Sequence, residues 1–222
     1  RDLHSFPTRR SSDLAKTAAM ANKTFQLAKP NIIFIMADDL GYGDLGVYGA
    51  STISTPNIDK LAQEGMRFTD AHSPSGLCTP TRYGVLTGRY CWRTRLKVWV
   101  LSASEPLLIE TDRMTVPKLM KEYDYVTGCI GKWHLGIGDE KITDWNKPLK
   151  PGPLEVGFDY FFGLPNSPNF SPYVYVENHE IVGKKPDEKI EVKNLDPWGR
   201  RAREISGIEN KRIAEKMGPT LA

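Results

Sequence analysis

Residues Asn31–Ala37 (NIIFIMA) are apolar without interruption and end in the pair Asp38-Asp39. A run this short and this continuous predicts a central strand covered on both faces. Thr55-Pro56 then supplies an N-cap and a first helical position for NIDKLAQE, with Gly65 just past its end. Met66–Ala71 returns as a strand. The order repeats further on: Thr115 and Pro117 open a helix through KLMKEY, Tyr125–Ile130 reads as a strand, and Gly131-Lys132-Trp133-His134 is the loop beyond it. Strand, helix and strand in alternation predict an α/β fold. Its central sheet is expected to be largely parallel, with helices on both faces and functional loops at the carboxyl ends of the strands. Beyond Asp139 the pattern loosens into a Pro- and Gly-containing stretch, with short aromatic strands near Tyr173–Val176 and a helix near Ile208–Met217.

Composition narrows the classes without choosing among enzymes. The 222 residues are 40% hydrophobic and 26% charged, as in an ordinary folded chain. No run approaches the roughly 18 apolar residues of a membrane span. The net charge of +3 is spread along the chain, leaving no concentrated basic surface for nucleic acid. We therefore expect neither a membrane nor a nucleic-acid partner. Cys78, Cys91 and Cys129 allow at most one disulfide and form no CxxC pair. Arg1–Leu14 (RDLHSFPTRRSSDL) resembles the in-frame translation of a short-read sequencing adapter, so 1–14 is read as foreign to the fold and 15–30 as a leader remnant or linker. Ala19-Met20-Ala21 has the small-x-small form that signal peptidase accepts, which predicts a periplasmic or secreted protein, chance being the competing explanation.

Three places could carry chemistry. Asp38 and Asp39 meet a loop rich in glycine (Gly41, Gly43, Gly46), where two carboxylates could converge on a hard cation; otherwise one caps a turn and the other is solvated. Cys78-Thr79-Pro80-Thr81-Arg82 places a cysteine at the start of a helix running to Gly88, where the helix dipole and free N–H groups favour an anion, with Arg82 one turn on along the same face. Lys132 and His134 flank Trp133, and in an extended loop their i, i+2 spacing puts both polar heads on one side. The bland alternative there is a surface lysine and a histidine satisfied by a backbone carbonyl.

Taken together, these segments resemble a family. C-T-P-T-R followed by Leu86-Thr87-Gly88-Arg89 is similar to the C-x-P-x-R modification motif of type I sulfatases. PNIIFIMADDLGYGDLG is similar to that family's first metal-binding strand and loop, and GKWHLG to its second active-site element. Thr81 stands where Ser or Ala is more usual, and Asp124 where Gly often precedes the Tyr. The resemblance implies the alkaline phosphatase-like fold and makes 31–222 the N-terminal part of a truncated catalytic domain. It implies that a formylglycine-generating enzyme oxidises Cys78 to formylglycine, whose hydrated aldehyde attacks sulfur. It also implies that Asp38, Asp39 and modified Cys78 bind Ca²⁺, with Mg²⁺ as the alternative. By the same resemblance Arg82 stabilises the formylglycine, Lys132 binds sulfate and His134 hydrogen-bonds the diol. Ser167, in Gly163-Leu164-Pro165-Asn166-Ser167, falls where relatives place a substrate-contacting polar residue. The implied substrate is a sulfated carbohydrate or an aryl sulfate. A phosphonate or phosphate ester hydrolase of the same superfamily, and a non-catalytic sugar-binding relative, remain as alternatives. The rest of the metal shell, a later His and a later Lys are expected beyond residue 222, so the 222 residues alone are expected to be inactive and to hold Ca²⁺ weakly.

Overall fold

A proline within the first three residues marks the start of each α-helix in the computed structural model, which describes residues 29–168, 170–195 and 202–206. Helix α1 spans Pro56–Glu64 with Pro56 in its first turn and Thr55 at the N-cap. Thr55 does not cap the helix with its side chain. Its hydroxyl accepts from Gly46 N at 2.8 Å and donates to Asp59 Oδ1 at 3.1 Å, while that carboxylate also accepts from Val47 N at 2.7 Å. The hydroxyl thus ties α1 to the two short 3-10 turns, Tyr42–Asp44 and Gly46–Tyr48. Helix α2 spans Cys78–Thr87 and closes on Gly88, whose N–H donates to Gly84 O at 2.9 Å. Helix α3 spans Val116–Glu122; Thr115 caps it by accepting from Lys118 N, and Pro117 lies in the first turn, where no N–H is needed.

Strands β1 (Gly128–Lys132) and β2 (Tyr160–Leu164) pair in parallel, Gly128 opposite Tyr160 and Lys132 opposite Leu164. Strands β3 (Val176–Glu177) and β4 (Glu180–Ile181) extend that sheet antiparallel in the order β1-β2-β3-β4. Strands β5 (Glu191–Leu195) and β6 (Ala202–Ser206) form a separate antiparallel pair. The α/β class stands, and the described four-stranded sheet is mixed. A parallel pair requires a long crossover. Here residues 133–159 cross over without a helix, and they carry much of the core: Trp133, Leu135, Ile137, Trp145, Leu149 and Val156 are buried against Tyr83 of α2, Leu101, Ile109 and Phe161.

Four expectations shift. Among the described residues Asn31–Ala37 has no strand pairing, and Ile33 and Ile35 are 84% and 83% exposed. Met66–Ala71 is likewise outside any strand. A strand exists only through its ladder, and an apolar run states a preference for a covered sheet without providing the neighbours that cover it. The strand expected at Tyr125–Ile130 lies at Gly128–Lys132 instead, because its ladder with Tyr160–Leu164 sets the register. Of Tyr173–Val176 only Val176 is in a strand. The helix expected at Ile208–Met217 lies outside the described residues. The chain divides into two compact units, Arg1–Asp38 and Asp39–Ala222.

Candidate active site

Cys78 is the first residue of α2, with Leu77 extended before it and no side chain capping the helix start. The positive end of the helix dipole and the first-turn N–H groups therefore face whatever the Cys78 side chain holds. Cys78 is half-buried, and all three cysteines are free thiols. Arg82, one turn on, donates through Nη1 to the Lys132 carbonyl at the end of β1. A helix residue thus fixes the place where the parallel strand opens into its loop.

Thr79 makes a second tie. It is fully buried, and its hydroxyl donates to His134 O at 2.9 Å and accepts from Leu101 N at 3.3 Å. Trp133 is buried between Lys132 and His134; its indole Nε1 donates to Gly136 O at 2.7 Å, and its ring meets Phe161 edge-on. Strand β1 ends at Lys132, just after a positive φ of 106° at Gly131, and the backbone turns left-handed at His134, with φ of 54°. Simple alternation stops there. Lys132 is half-buried at the strand end, whereas His134 is 1% exposed with Nε2 at 3.0 Å from Leu101 O. Its Nε2 thus meets a backbone carbonyl, and its own carbonyl is tied to the residue that follows Cys78.

The 101–109 segment is itself pinned. Ser102 N donates to the Glu105 carboxylate at 2.5 Å, Arg95 Nη1 donates to Leu107 O at 3.0 Å, and Leu108 N donates to Leu135 O at 2.9 Å. Gly136 lies under this segment at φ of 78°, and any Cβ there would overlap the Pro106 carbonyl.

The loop after β2 runs beside the loop after β1, because Trp133 N donates to Leu164 O at 2.8 Å and His134 N to Pro165 O at 3.0 Å. This brings Ser167, half-buried, into the segment beside His134, and the Phe170 ring packs edge-on against the imidazole at 5.9 Å. Asn166 was not a sequence candidate. It is 3% exposed, and its Nδ2 has no hydrogen-bond partner among the described residues. Thr79, Leu101 and Asn166 were missed because their contribution lies in burial and backbone contacts with distant segments. Only the position of Thr79 inside the C-x-P-x-R motif could have drawn attention to it.

Cys129 on β1 is partly buried against the core, and loss of hydration pushes its thiol up to about 11, with the Arg82 charge pulling the other way. Burial also pushes the Cys91 thiol up. Of the other histidines among the described residues, exposed His72 pairs with Asp70, and His179 with Glu155 at 2.9 Å. The Asp139-Glu140 pair is exposed, with Glu140 bonded to Lys147.

Asp38 closes the first unit and Asp39 opens the second; both are exposed, Asp39 with φ of 58°. Among the described residues no three His, Cys, Asp or Glu side chains come together as a metal-binding group. Ca²⁺ takes about six to eight oxygen ligands. The described donors therefore do not compose a calcium shell. Cys78, Arg82, Lys132 and His134 are joined through Thr79 and the Lys132 carbonyl, with the Ser167 loop alongside.

A family model described as Sulfatase matches residues 30–197. The chain is 46% identical over 164 residues to N-acetylgalactosamine-6-O-sulfatase of Bacteroides thetaiotaomicron, which covers 74% of this chain and 32% of that protein. It is 46% identical over 143 residues to steryl-sulfatase of Homo sapiens, covering 62% of this chain and 24% of that one. A solved protein of glycosaminoglycan metabolism in Bacteroides thetaiotaomicron aligns with a TM-score of 0.76 at 35% identity, over 87% of this chain and 48% of the other. The chain thus spans a third or less of the length of these curated relatives. The matched family model takes in every motif from the Asp38-Asp39 loop to the Ser167 loop, and the chain belongs to the type I sulfatase family.

Proposed function

We propose that the intact protein hydrolyses a sulfate ester on a carbohydrate or an aryl alcohol. The observation that carries this reading is the placement of Cys78 at an uncapped helix start, one turn before Arg82 and one residue before the threonine that holds His134. A group at that position sits in the positive end of the helix field, as attack on a multiply oxygenated anion requires. The names of the relatives, a hexosamine sulfatase and a protein of glycosaminoglycan metabolism, support a sugar substrate. Steryl-sulfatase shows that the family is not confined to sugars.

In this reading a formylglycine-generating enzyme converts Cys78 to formylglycine. The modified residue would supply a hydrated aldehyde: attack of one hydroxyl oxygen on sulfur would displace the substrate's alcohol, and loss of the other hydroxyl's proton would re-form the aldehyde as its bond to the sulfate oxygen breaks and sulfate leaves. Arg82 stabilises the charge beside it from the next helix turn. Lys132 holds the sulfate oxygens, and His134 manages the proton of the diol. Ser167 contacts the substrate from the neighbouring loop. Asp38 and Asp39 are the carboxylates assigned to a hard cation, Ca²⁺ or Mg²⁺, whose further oxygens have to come from outside the described residues. The small-x-small site at Ala19-Met20-Ala21 supports export to the periplasm or beyond, and an apolar segment encoded directly upstream would bear this out.

Mass spectrometry of the Cys78 peptide, after co-expression with a formylglycine-generating enzyme, should show the aldehyde. A persistent thiol would point to a sugar-binding relative. Parallel assays on aryl sulfate and aryl phosphate esters should favour sulfate, and the reverse preference would point to a phosphate or phosphonate ester hydrolase. Cys78→Ala should lower turnover by about 10³-fold or more, as loss of a nucleophile does elsewhere.

A further inference from the structure

We propose that Thr79 is the positioning residue for the His134 imidazole and fixes which of its nitrogens carries the proton. Three hydrogen bonds close on one another. The Thr79 hydroxyl donates to His134 O at 2.9 Å, Leu101 N donates to the same hydroxyl at 3.3 Å, and His134 Nε2 lies 3.0 Å from Leu101 O. A hydroxyl has a single proton, and His134 O can only accept, so that proton is committed; toward Leu101 N the hydroxyl must then accept. The Leu101 carbonyl is also only an acceptor, so Nε2 must carry hydrogen, which leaves Nδ1 as the basic nitrogen of the neutral ring.

Main chain and ring of one histidine are thereby referenced to one side chain. His134 holds a left-handed backbone at φ of 54°, a conformation that non-glycine residues keep only when their surroundings fix it. Thr79 is fully buried, Leu101 is 1% exposed and His134 is 1% exposed, so water does not compete for these bonds. Thr79 also follows Cys78 directly in the first turn of α2, so the same residue sets the ring against the proposed nucleophile. The kinetic part of this inference rests on the role proposed for His134, while the tautomer part does not.

The test uses the intact protein with ¹⁵N-labelled histidine, wild type against Thr79→Val and Thr79→Ser. Valine keeps the shape and removes both bonds; serine keeps the hydroxyl. Long-range ¹H–¹⁵N correlation of His134 should show the Nε2–H tautomer in wild type and Thr79→Ser and its loss in Thr79→Val. In Thr79→Val, kcat on an aryl sulfate should fall about 10- to 100-fold with KM within about threefold, as displacement of a catalytic group does. Thr79→Ser should restore kcat to within about threefold of wild type. An Nδ1–H tautomer in the wild type overturns the proposal, and that spectrum decides the matter even if Thr79→Val does not fold. A Thr79→Val protein whose tautomer or kcat matches wild type also overturns it. If the wild type has the expected tautomer but turns over no sulfate ester, the hydrolase reading fails and the positioning of His134 by Thr79 stands.

Discussion

Arg82 is half-buried, and its guanidinium donates to the Lys132 carbonyl, so its contribution is geometric as well as electrostatic. Lysine would keep the charge but present a rounded ammonium that cannot reproduce the planar donor. Arg82→Lys is expected to lower unfolding stability by about 1.5–3 kcal/mol, the range for a hydrogen bond to a charged group, measured by urea titration at neutral pH. Cys129 offers a pH readout beside it. Its thiol is pushed from the ordinary 9.0 up to about 11, chiefly by burial. A raised folded-state pKa favours the folded, protonated form; that contribution is complete below 9.0 and is lost as pH rises through about 11. Unfolding free energy measured across this window should fall, and Cys129→Ala should flatten the decline. At this scale the sequence disclosed Cys78, Arg82, Lys132 and His134, because their residue types announce chemistry. It did not disclose Thr79 or Asn166, whose importance is a matter of burial and of which distant atom each one meets.

Elements depend on how closely backbones approach. Gly163 on β2 faces Gly131 on β1, and an added Cβ would overlap the Gly131 main chain, which cannot move aside without breaking the parallel register. Gly163→Ala should therefore cost about 3 kcal/mol, at the upper end of the overpacking range, read from the shift in the denaturation midpoint. At the other end of the same strand pair, the Asp159 carboxylate accepts from Thr127 N at 2.8 Å and from its hydroxyl at 3.0 Å, while Lys121 of α3 lies at 2.7 Å. The Lys121 contact first, then the Thr127 backbone bond, hold its pKa below the ordinary 3.8. The lowered folded-state value favours folding above 3.8, and this contribution disappears as pH falls through the folded pKa. Asp159→Asn should give a shallower loss of stability on acidification, followed by circular dichroism. The helix starts were legible because proline and the residue before it act locally. The pairing of β1 with β2 was not, since its two strands lie on either side of a helix-free crossover.

For the whole molecule, the share of the relatives' length matters most. The chain covers 32% of one curated relative and 24% of another, and among its described residues no group of three metal-ligating side chains forms. The isolated 222 residues are therefore expected to show no saturable Ca²⁺ binding below about 1 mM, weaker than dedicated calcium sites, when followed by calorimetry. They are also expected to release no sulfate from an aryl sulfate. Asn31–Ala37 has the apolar pattern of a covered central strand, yet Ile33 and Ile35 stand 84% and 83% exposed.

The order of the motifs, the helix beginning at Cys78 and the α/β class follow from the sequence by itself, because capping, proline placement and hydrophobic periodicity act over a few neighbouring residues. Tertiary structure alone decided the register of β1 against β2, the edge-on packing of Phe170 against His134, the carbonyl that its Nε2 meets and the bridging role of Thr79. Each of these joins residues tens of positions apart, as Thr79 does in reaching His134 across 55 positions. Such contacts carry no local signature, since the free energy that selects them arises only when distant segments exclude water from one another.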